Sequence, residues 1–323
     1  MYPGIFYLQE ELSPNVSGLG FQCQAGIVEK ERRLFCFRCG NNDANQFGTT
    51  FQGEKYCRNC LMMKRITVST QLCFRKATES ERVYEEQALN WKGALSTGQE
   101  KGSLAVLVAI QKRETLLLWA VAGSGKTEMT FAGLEEAFRQ GLRVCFASPR
   151  VDVCIELLPR FKEVFPNVPL VCLYGDSKDR FRGESFVIAT THQLIRFYQY
   201  FDVVFIDEVD AFPYAKDPFL EYAVKKALAD GGIEIYMTAT PERSWQIDCL
   251  NGKRNYVKIP ARYHRHPLPV PKTIWIGNWA RMLRKNKISK KSSWLDRKTL
   301  SSGQAYLAVL PQNRSYACIW GCA

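Results

Sequence analysis

Ala120-Val-Ala-Gly123-Ser124-Gly125-Lys126-Thr127 lies between an apolar run, Thr115–Trp119, and a stretch with helical periodicity from Glu128 to Gln140. A strand, a glycine turn and a helix in that order form a cradle for a nucleoside triphosphate. Gly123, Ser124 and Gly125 bring backbone N–H groups onto the phosphates where larger side chains would obstruct, and the helix that opens near Lys126 turns its positive end toward them. Lys126 reaches the β- and γ-phosphates and Thr127 ligates Mg²⁺.

A second apolar run, Val203–Ile206, ends in Asp207-Glu208-Val209-Asp210. In an open α/β sheet ligands collect at the carboxyl ends of strands, so these acids should face the glycine loop. Asp207 then holds Mg²⁺ through water, and Glu208 orients and deprotonates the attacking water. Lys126, Asp207 and Glu208 are the catalytic set. Thr238 and Thr240, after the apolar Ile233–Met237, are placed to sense the nucleotide and move neighbouring elements; the alternative is an ordinary helix cap. Pro149-Arg150 and Thr191-His192 also follow apolar runs and offer groups suited to a nucleic-acid backbone, against the same capping alternative. Gln99 is placed to hydrogen-bond an adenine edge, or is an exposed glutamine.

Twelve cysteines are present. Cys36-x₂-Cys39 and Cys57-x₂-Cys60, 17 residues apart, have the spacing of a four-thiolate Zn²⁺ site. Gly40 permits the tight turn that aims the first pair at one metal. The other cysteines are expected reduced: Cys23 and Cys73 flank the site as spares, and Cys145, Cys154, Cys172 and Cys249 sit in apolar surroundings.

These groups must be positioned by a scaffold of about two domains. Apolar runs near 115–120, 143–147, 170–173, 186–189, 203–206 and 234–237, separated by helical stretches, predict an α/β fold with a doubly wound parallel sheet. Residues 1–30 read as an irregular lead-in and 31–65 as the cysteine module, dependent on metal for order. Residues 66–92 read as a linker with a charged helix from Thr78 to Trp91, 93–260 as the nucleotide domain, and 261–323 as a basic linker with an incomplete further domain. No apolar stretch approaches the roughly 20 residues needed to span a bilayer, and Met1-Tyr-Pro-Gly lacks the features of a secretory signal. A cytoplasmic location is expected. The net charge of +12 and pI near 9.1 favour a polyanionic partner, nucleic acid first and an anionic membrane surface second. Between Lys272 and Lys298, nine Lys or Arg residues stand against one acid, with Trp275, Trp279 and Trp294 among them. That composition suits single-stranded nucleic acid, or equally a solvated linker over buried tryptophans.

In this order the motifs resemble the first RecA-like domain of superfamily 2 DEAD-box-like helicases, P-loop NTPases in which an opening alanine in the glycine loop is typical. With the four cysteines ahead of them, and with Thr238-Ala-Thr-Pro and Ile259-Pro-Ala-Arg-Tyr-His-Arg-His-Pro-Leu-Pro-Val-Pro271 behind, the chain resembles the ComFA family of competence ATPases. The resemblance implies an ATP-driven motor on single-stranded DNA in natural transformation. It implies a place at the cytoplasmic membrane face, beside a DNA channel and other competence proteins, without spanning the membrane. A replication-restart or repair helicase and a zinc- and DNA-binding remnant are the alternatives. Family members continue into a second RecA-like domain that supplies arginines to the ATP site; here Gly303–Pro311 resembles its first strand and the following residues show no family pattern. A frameshift or truncated gene, and slow turnover, are therefore expected.

Overall fold

A computed structural model describes residues 1–12, 20–30, 33–210 and 217–264, and the backbone of 307–312 and 315–320. Residues 1–266 form one unit and 267–323 another. The prolines at 267–271 and the basic stretch with Trp275, Trp279 and Trp294 lie outside the described residues.

Eight short strands open the chain: β1 (Tyr7–Leu8), β2 (Gln22–Ala25), β3 (Ile27–Lys30), β4 (Arg33–Cys36), β5 (Phe47–Thr49), β6 (Lys55–Cys57), β7 (Ile66–Thr67) and β8 (Gln71–Phe74). They build three small antiparallel sheets, β1-β8-β2, β3-β4 and β5-β6-β7. The expected irregular lead-in is thus incorrect. Residues before 31 supply three strands, and their ladder partners lie as far away as β8, beyond the reach of local periodicity. Cys23 and Cys73 are not spares either. They face each other in the β2–β8 ladder and are joined as a disulfide.

The expected helix over 78–91 is also absent; a 3-10 turn at Glu79–Glu81 is the helical part of it. Long-range partners hold this charged segment open. Arg82 forms a two-pronged ion pair with Asp202, at 2.9 and 3.1 Å, and donates to the Gly141 carbonyl. Glu85 and Asn90 donate backbone N–H groups to Phe138 and Val164, and Trp91 packs edge-on against Phe131. The Glu85 and Asn90 N–H groups are thus spent on distant carbonyls where a local helix would have used them internally.

From residue 97 the chain alternates α1 (Thr97–Lys112), β9 (Leu116–Ala120), α2 (Lys126–Met129), α3 (Phe131–Arg139), β10 (Val144–Ser148), α4 (Val151–Val164), β11 (Leu170–Leu173), β12 (Phe186–Thr190), β13 (Phe201–Ile206), α5 (Pro218–Ala227), β14 (Leu228–Thr238), α6 (Arg243–Leu250) and β15 (Tyr256–Ile259). The strands form one parallel seven-stranded sheet, in the order β11-β12-β10-β13-β14-β9-β15. This is the doubly wound α/β architecture expected from the apolar runs, extended at one edge by β15. Every residue of β10, β12 and β13 is buried, as a sheet covered on both faces requires. One face packs Phe146, Phe186 and Phe205 with Phe131, Phe138 and Phe161 of the helices. The other face shares its core with the amino-terminal strands, so that Val204 and Ile206 belong to the same apolar cluster as Leu72, Ile66 and the four clustered cysteines.

In the second unit, β16 (Leu307–Gln312) pairs antiparallel with β17 (Ser315–Trp320). β16 overlaps the strand expected over Gly303–Pro311.

Candidate functional site

Strands β13, β14 and β9 are neighbours, so their carboxyl ends bring three motifs together. The phosphate loop follows β9 and the acidic turn follows β13. Thr238-Ala-Thr240 closes β14 between them. In the loop Gly123 and Gly125 adopt φ of +74° and +78°, a region open to glycine at little cost. Ser124 is buried and Lys126 and Thr127 are partly buried, with Lys126 and Thr127 opening α2.

Asp207 lies opposite. Burial pushes its carboxyl up to about 6, against the pull of the Lys126 ammonium, which places the two charges within electrostatic reach. The Asp207 backbone N–H donates to the Ala147 carbonyl at 2.8 Å, and its carboxylate accepts from the Glu208 N–H at 3.0 Å. Glu208 is held at φ +51°. A left-handed backbone at a residue with a Cβ costs free energy, and here it turns the glutamate out of the line of β13.

Asp210, which sequence reasoning left without a role, joins the motifs. Thr238 Oγ1 and Thr240 Oγ1 donate to its two carboxylate oxygens, and Thr240 N–H donates to Thr238 Oγ1 at 2.9 Å. Trp119, on β9, donates its indole N–H to the Ala239 carbonyl at 3.2 Å. The segment Thr238-Ala239-Thr240 therefore bonds to both sides, the threonines to Asp210 and the Ala239 carbonyl to Trp119 of β9. The second aspartate of the Asp-Glu-x-Asp wording was the available signal. A cleft of about 650 Å³ opens beyond Asp210 between α5 and α6, but no residue of the phosphate loop lines it.

The four residues expected to meet DNA follow the paired strands β10 and β12, whose ends Ser148 and Thr190 are in register. Arg150 is exposed, pairs with Asp152 at 2.5 Å and lies 3.8 Å from Glu208, on the acidic side of the site. Pro149 precedes it, partly buried. Thr191 is fully buried and its hydroxyl has no hydrogen-bond partner among the described residues, so its side chain is turned away from any backbone passing outside. His192 lies against Phe219, its pKa lowered by partial burial while Asp217 opposes the shift.

Cys36, Cys39, Cys57 and Cys60 converge. Their sulfurs all lie within 4.8 Å of one another and all four residues are buried. Cys39 and Cys57 sulfurs are 3.5 Å apart, and Cys36 and Cys60 sulfurs 3.7 Å. Four ligands at about 2.3 Å from a tetrahedral Zn²⁺ stand roughly 3.8 Å from each other, so the donor set and its spacing fit zinc. Asn41 donates to Cys57 Sγ at 3.6 Å, and Arg38 donates to the Cys60 carbonyl at 3.0 Å; such outer contacts orient the ligands. Gly40 turns at φ +74°, and a Cβ there would lie 2.5 Å from the Tyr222 ring.

That last contact shows what the sequence did not: the cysteine module is seated on α5. Asp217 caps this helix by accepting from the Phe219 N–H, with Pro218 in its first turn. Tyr222 donates to the Phe37 carbonyl at 2.9 Å. Lys226, nearly inaccessible at 8% exposure, donates to the carbonyls of Arg38 and Ile195 at 2.5 and 2.7 Å. Its ammonium also stands 4.7 Å from the Phe6 ring centre, a favourable cation–π placement.

Comparison with known proteins agrees with this construction. The competence protein ComFA N-terminal domain model matches residues 4–74, and the type III restriction enzyme res subunit model matches residues 80–243. Competence protein ComFA of Bacillus subtilis (strain 168) is 46% identical over 291 residues, covering 87% of this chain and 63% of the relative. Competence protein ComFA of Streptococcus pneumoniae (strain ATCC BAA-255 / R6) is 38% identical over 290 residues, covering 90% and 66%. Replication restart protein PriA of Rickettsia felis (strain ATCC VR-1525 / URRWXCal2) is 24% identical over 225 residues, covering 64% and 33%. The chain thus spans just under two thirds of the length of its competence relatives. No helix among the described residues is long and apolar enough to cross a membrane. With the amino-terminal model seated on a helicase-type nucleotide fold and both competence relatives matched along most of the chain, this protein belongs to the ComFA family.

Proposed function

We propose that the chain is the ATP-binding part of a motor that moves along single-stranded DNA during DNA uptake in competence. One observation carries the reading: the glycine loop and the acidic turn face each other across β14, which bears the two threonines that bond to Asp210. Residues 93–260 are then the ATP-binding domain. Gly123, Ser124, Gly125 and Lys126 hold the phosphates, and Gln99 contacts the base. Thr127 and Asp207 hold Mg²⁺, which supplies charge neutralisation on the phosphate oxygens. Glu208 orients the attacking water and takes its proton. Thr238 and Thr240 pass the change at the γ-phosphate to the surface that carries DNA. Zn²⁺ bound by the four cysteines fixes the amino-terminal sheets. The basic composition supports a phosphate-backbone partner, and the names of the relatives support competence proteins as further partners, at the cytoplasmic face of the membrane.

The experiment is steady-state ATP hydrolysis with and without single-stranded DNA. Stimulation by DNA of any sequence, weakening as salt rises, is the expected result. A rate indifferent to DNA removes the motor reading.

The similarity to PriA favours a second reading, a replication-restart helicase. It requires preference for forked duplex over single strands, and binding to both substrates decides between the two.

A further inference from the structure

Strand β10 lies between β12 and β13. Its last residues pair with both neighbours, Ser148 with Thr190 on one side and Ala147 with Ile206 on the other. The residues that follow β10 are therefore flanked by the turn at Thr191–Arg196, which carries His192, and by the acidic turn with Asp207 and Glu208. Arg150 occupies that position. Its backbone N–H donates to Ser148 Oγ at 3.3 Å, and the Asp207 N–H donates to the Ala147 carbonyl at 2.8 Å. The arginine and the acidic turn are thus anchored to the same strand end.

The Arg150 guanidinium is shared between two carboxylates. Nε and Nη2 donate to the Asp152 oxygens at 3.2 and 2.5 Å, and Nη1 stands 3.8 Å from Glu208 Oε2. Asp152 belongs to the first turn of α4 and fixes one edge of the fork. Glu208 meets the other from the neighbouring strand, on its left-handed backbone. The arginine side chain remains 52% exposed, so a third anion can reach it from solvent. A phosphodiester accepts from the same fork as a carboxylate does, in the same two-pronged geometry.

Resting on the motor reading above, in which Glu208 orients the attacking water, we propose that Arg150 holds Glu208 back until a phosphate of a DNA strand takes the arginine. To receive a proton, the carboxylate must present an oxygen to the water within hydrogen-bond reach. In the absence of DNA, Oε2 is drawn toward Nη1 of Arg150. With a phosphate on the fork that attraction is withdrawn, and the glutamate is left to the water at the γ-phosphate. Arg150 is in this sense a positioning residue: it acts on the reaction through Glu208, and it ties the occupancy of the DNA surface to the acid across one side-chain contact. An exposed ion pair shifts a population by about fivefold at most, which sets the size of the effect.

The test is steady-state ATP hydrolysis by the full chain, without DNA and with a saturating thymidine oligonucleotide, for the parent, Arg150→Ala and Asp152→Asn. Arg150→Ala should raise the rate without DNA by about three- to fivefold, with the KM for ATP unchanged, and saturating DNA should then add that much less. Asp152→Asn removes the competing charge and leaves more of the fork to Glu208. It should lower the rate without DNA by about twofold, while the rate at saturating DNA stays at the parent value. Damage to the fold does not produce a gain of rate in one variant and a loss confined to the DNA-free state in the other. An unchanged or lower DNA-free rate in Arg150→Ala, with only a weaker affinity for DNA, overturns the inference and makes Arg150 an ordinary backbone contact. The motor reading survives that result if the parent rate still rises with DNA. A parent rate indifferent to DNA overturns both.

Discussion

Asp210 holds Thr238. The threonine hydroxyl at the end of β14 donates to one carboxylate oxygen of an aspartate in the turn after β13, and Thr240 donates to the other. The aspartate is three residues past Asp207. The acidic turn is thereby tied to the adjacent strand end, and the Ala239 carbonyl there accepts from the Trp119 indole on β9.

Asp210→Ala should separate binding from response. Mg-ATP affinity should stay near the parent value, because Lys126, Thr127 and Asp207 are untouched. Stimulation by single-stranded DNA should fall by about tenfold, within the usual range of coupling energies between two sites. Rates with saturating and zero DNA give the comparison.

Lys126→Ala removes the cation that meets the β- and γ-phosphates. Charge-assisted hydrogen bonds are worth about 1.5–3 kcal/mol, so the nucleotide dissociation constant should rise by roughly 10- to 150-fold and hydrolysis should vanish. Calorimetry and an ATPase assay check the two parts separately.

Cys39→Ser should reach further than residues 31–65. The four cysteines share an apolar cluster with Leu220, Ala223 and Val224 of α5. Zinc content measured by mass spectrometry should fall from one per chain toward zero. Amide hydrogen exchange should rise in α5 as well as in the amino-terminal strands. Protection of α5 unchanged from the parent would contradict a shared core.

Asp202→Ala should be among the costly substitutions outside the site. It leaves Arg82, whose side chain is 16% exposed, with Glu79 and the Gly141 carbonyl as its remaining partners, and removes the acceptor of the Arg143 N–H at 2.8 Å. Removing one partner of a largely buried pair while others remain should cost about 1–3 kcal/mol, through the acceptor lost to the Arg143 N–H. Arg150→Ala, at an exposed pair, should change stability by about 0.5 kcal/mol or less. Urea unfolding of the two variants measures the contrast.

Stability should also fall in acid through Glu81. Arg75 donates to it at 2.7 and 3.0 Å and holds its carboxyl down to about 2. A depressed carboxyl stabilises the fold fully above its unfolded pKa, about 4.3, and the contribution is lost as pH falls from there toward 2. Glu81→Gln should flatten that part of the stability profile, read as the urea midpoint between pH 5 and 3.

The sheet was legible because most of its strands are nearly continuous apolar runs, several of them followed by residue types with an evident chemical use. The thiolate cluster was legible from spacing alone. What escaped had its cause elsewhere in the chain. Arg82 is drawn into extended backbone by Asp202, 120 residues away, and no local pattern announces that. Lys226 carried no signal in the sequence; the Arg38 and Ile195 carbonyls and the Phe6 ring account for its burial. Thr191 looked like a backbone contact because of its position after a strand, yet its hydroxyl points inward. The edge strand β15 was missed because Tyr256–Ile259 mixes polar and apolar residues, as an edge allows.

The Lys226 ammonium, capped by two carbonyls from opposite sides of the seam, makes the amino-terminal module poorly transferable. Moved onto another nucleotide domain, the module would leave the Arg38 carbonyl and an apolar face without partners. The domain left behind would carry a lysine that keeps the Ile195 carbonyl and loses that of Arg38. Neither half is a cassette. Shuffling at this boundary would be penalised from both sides, and a successful chimera would have to carry α5 along with the cysteines.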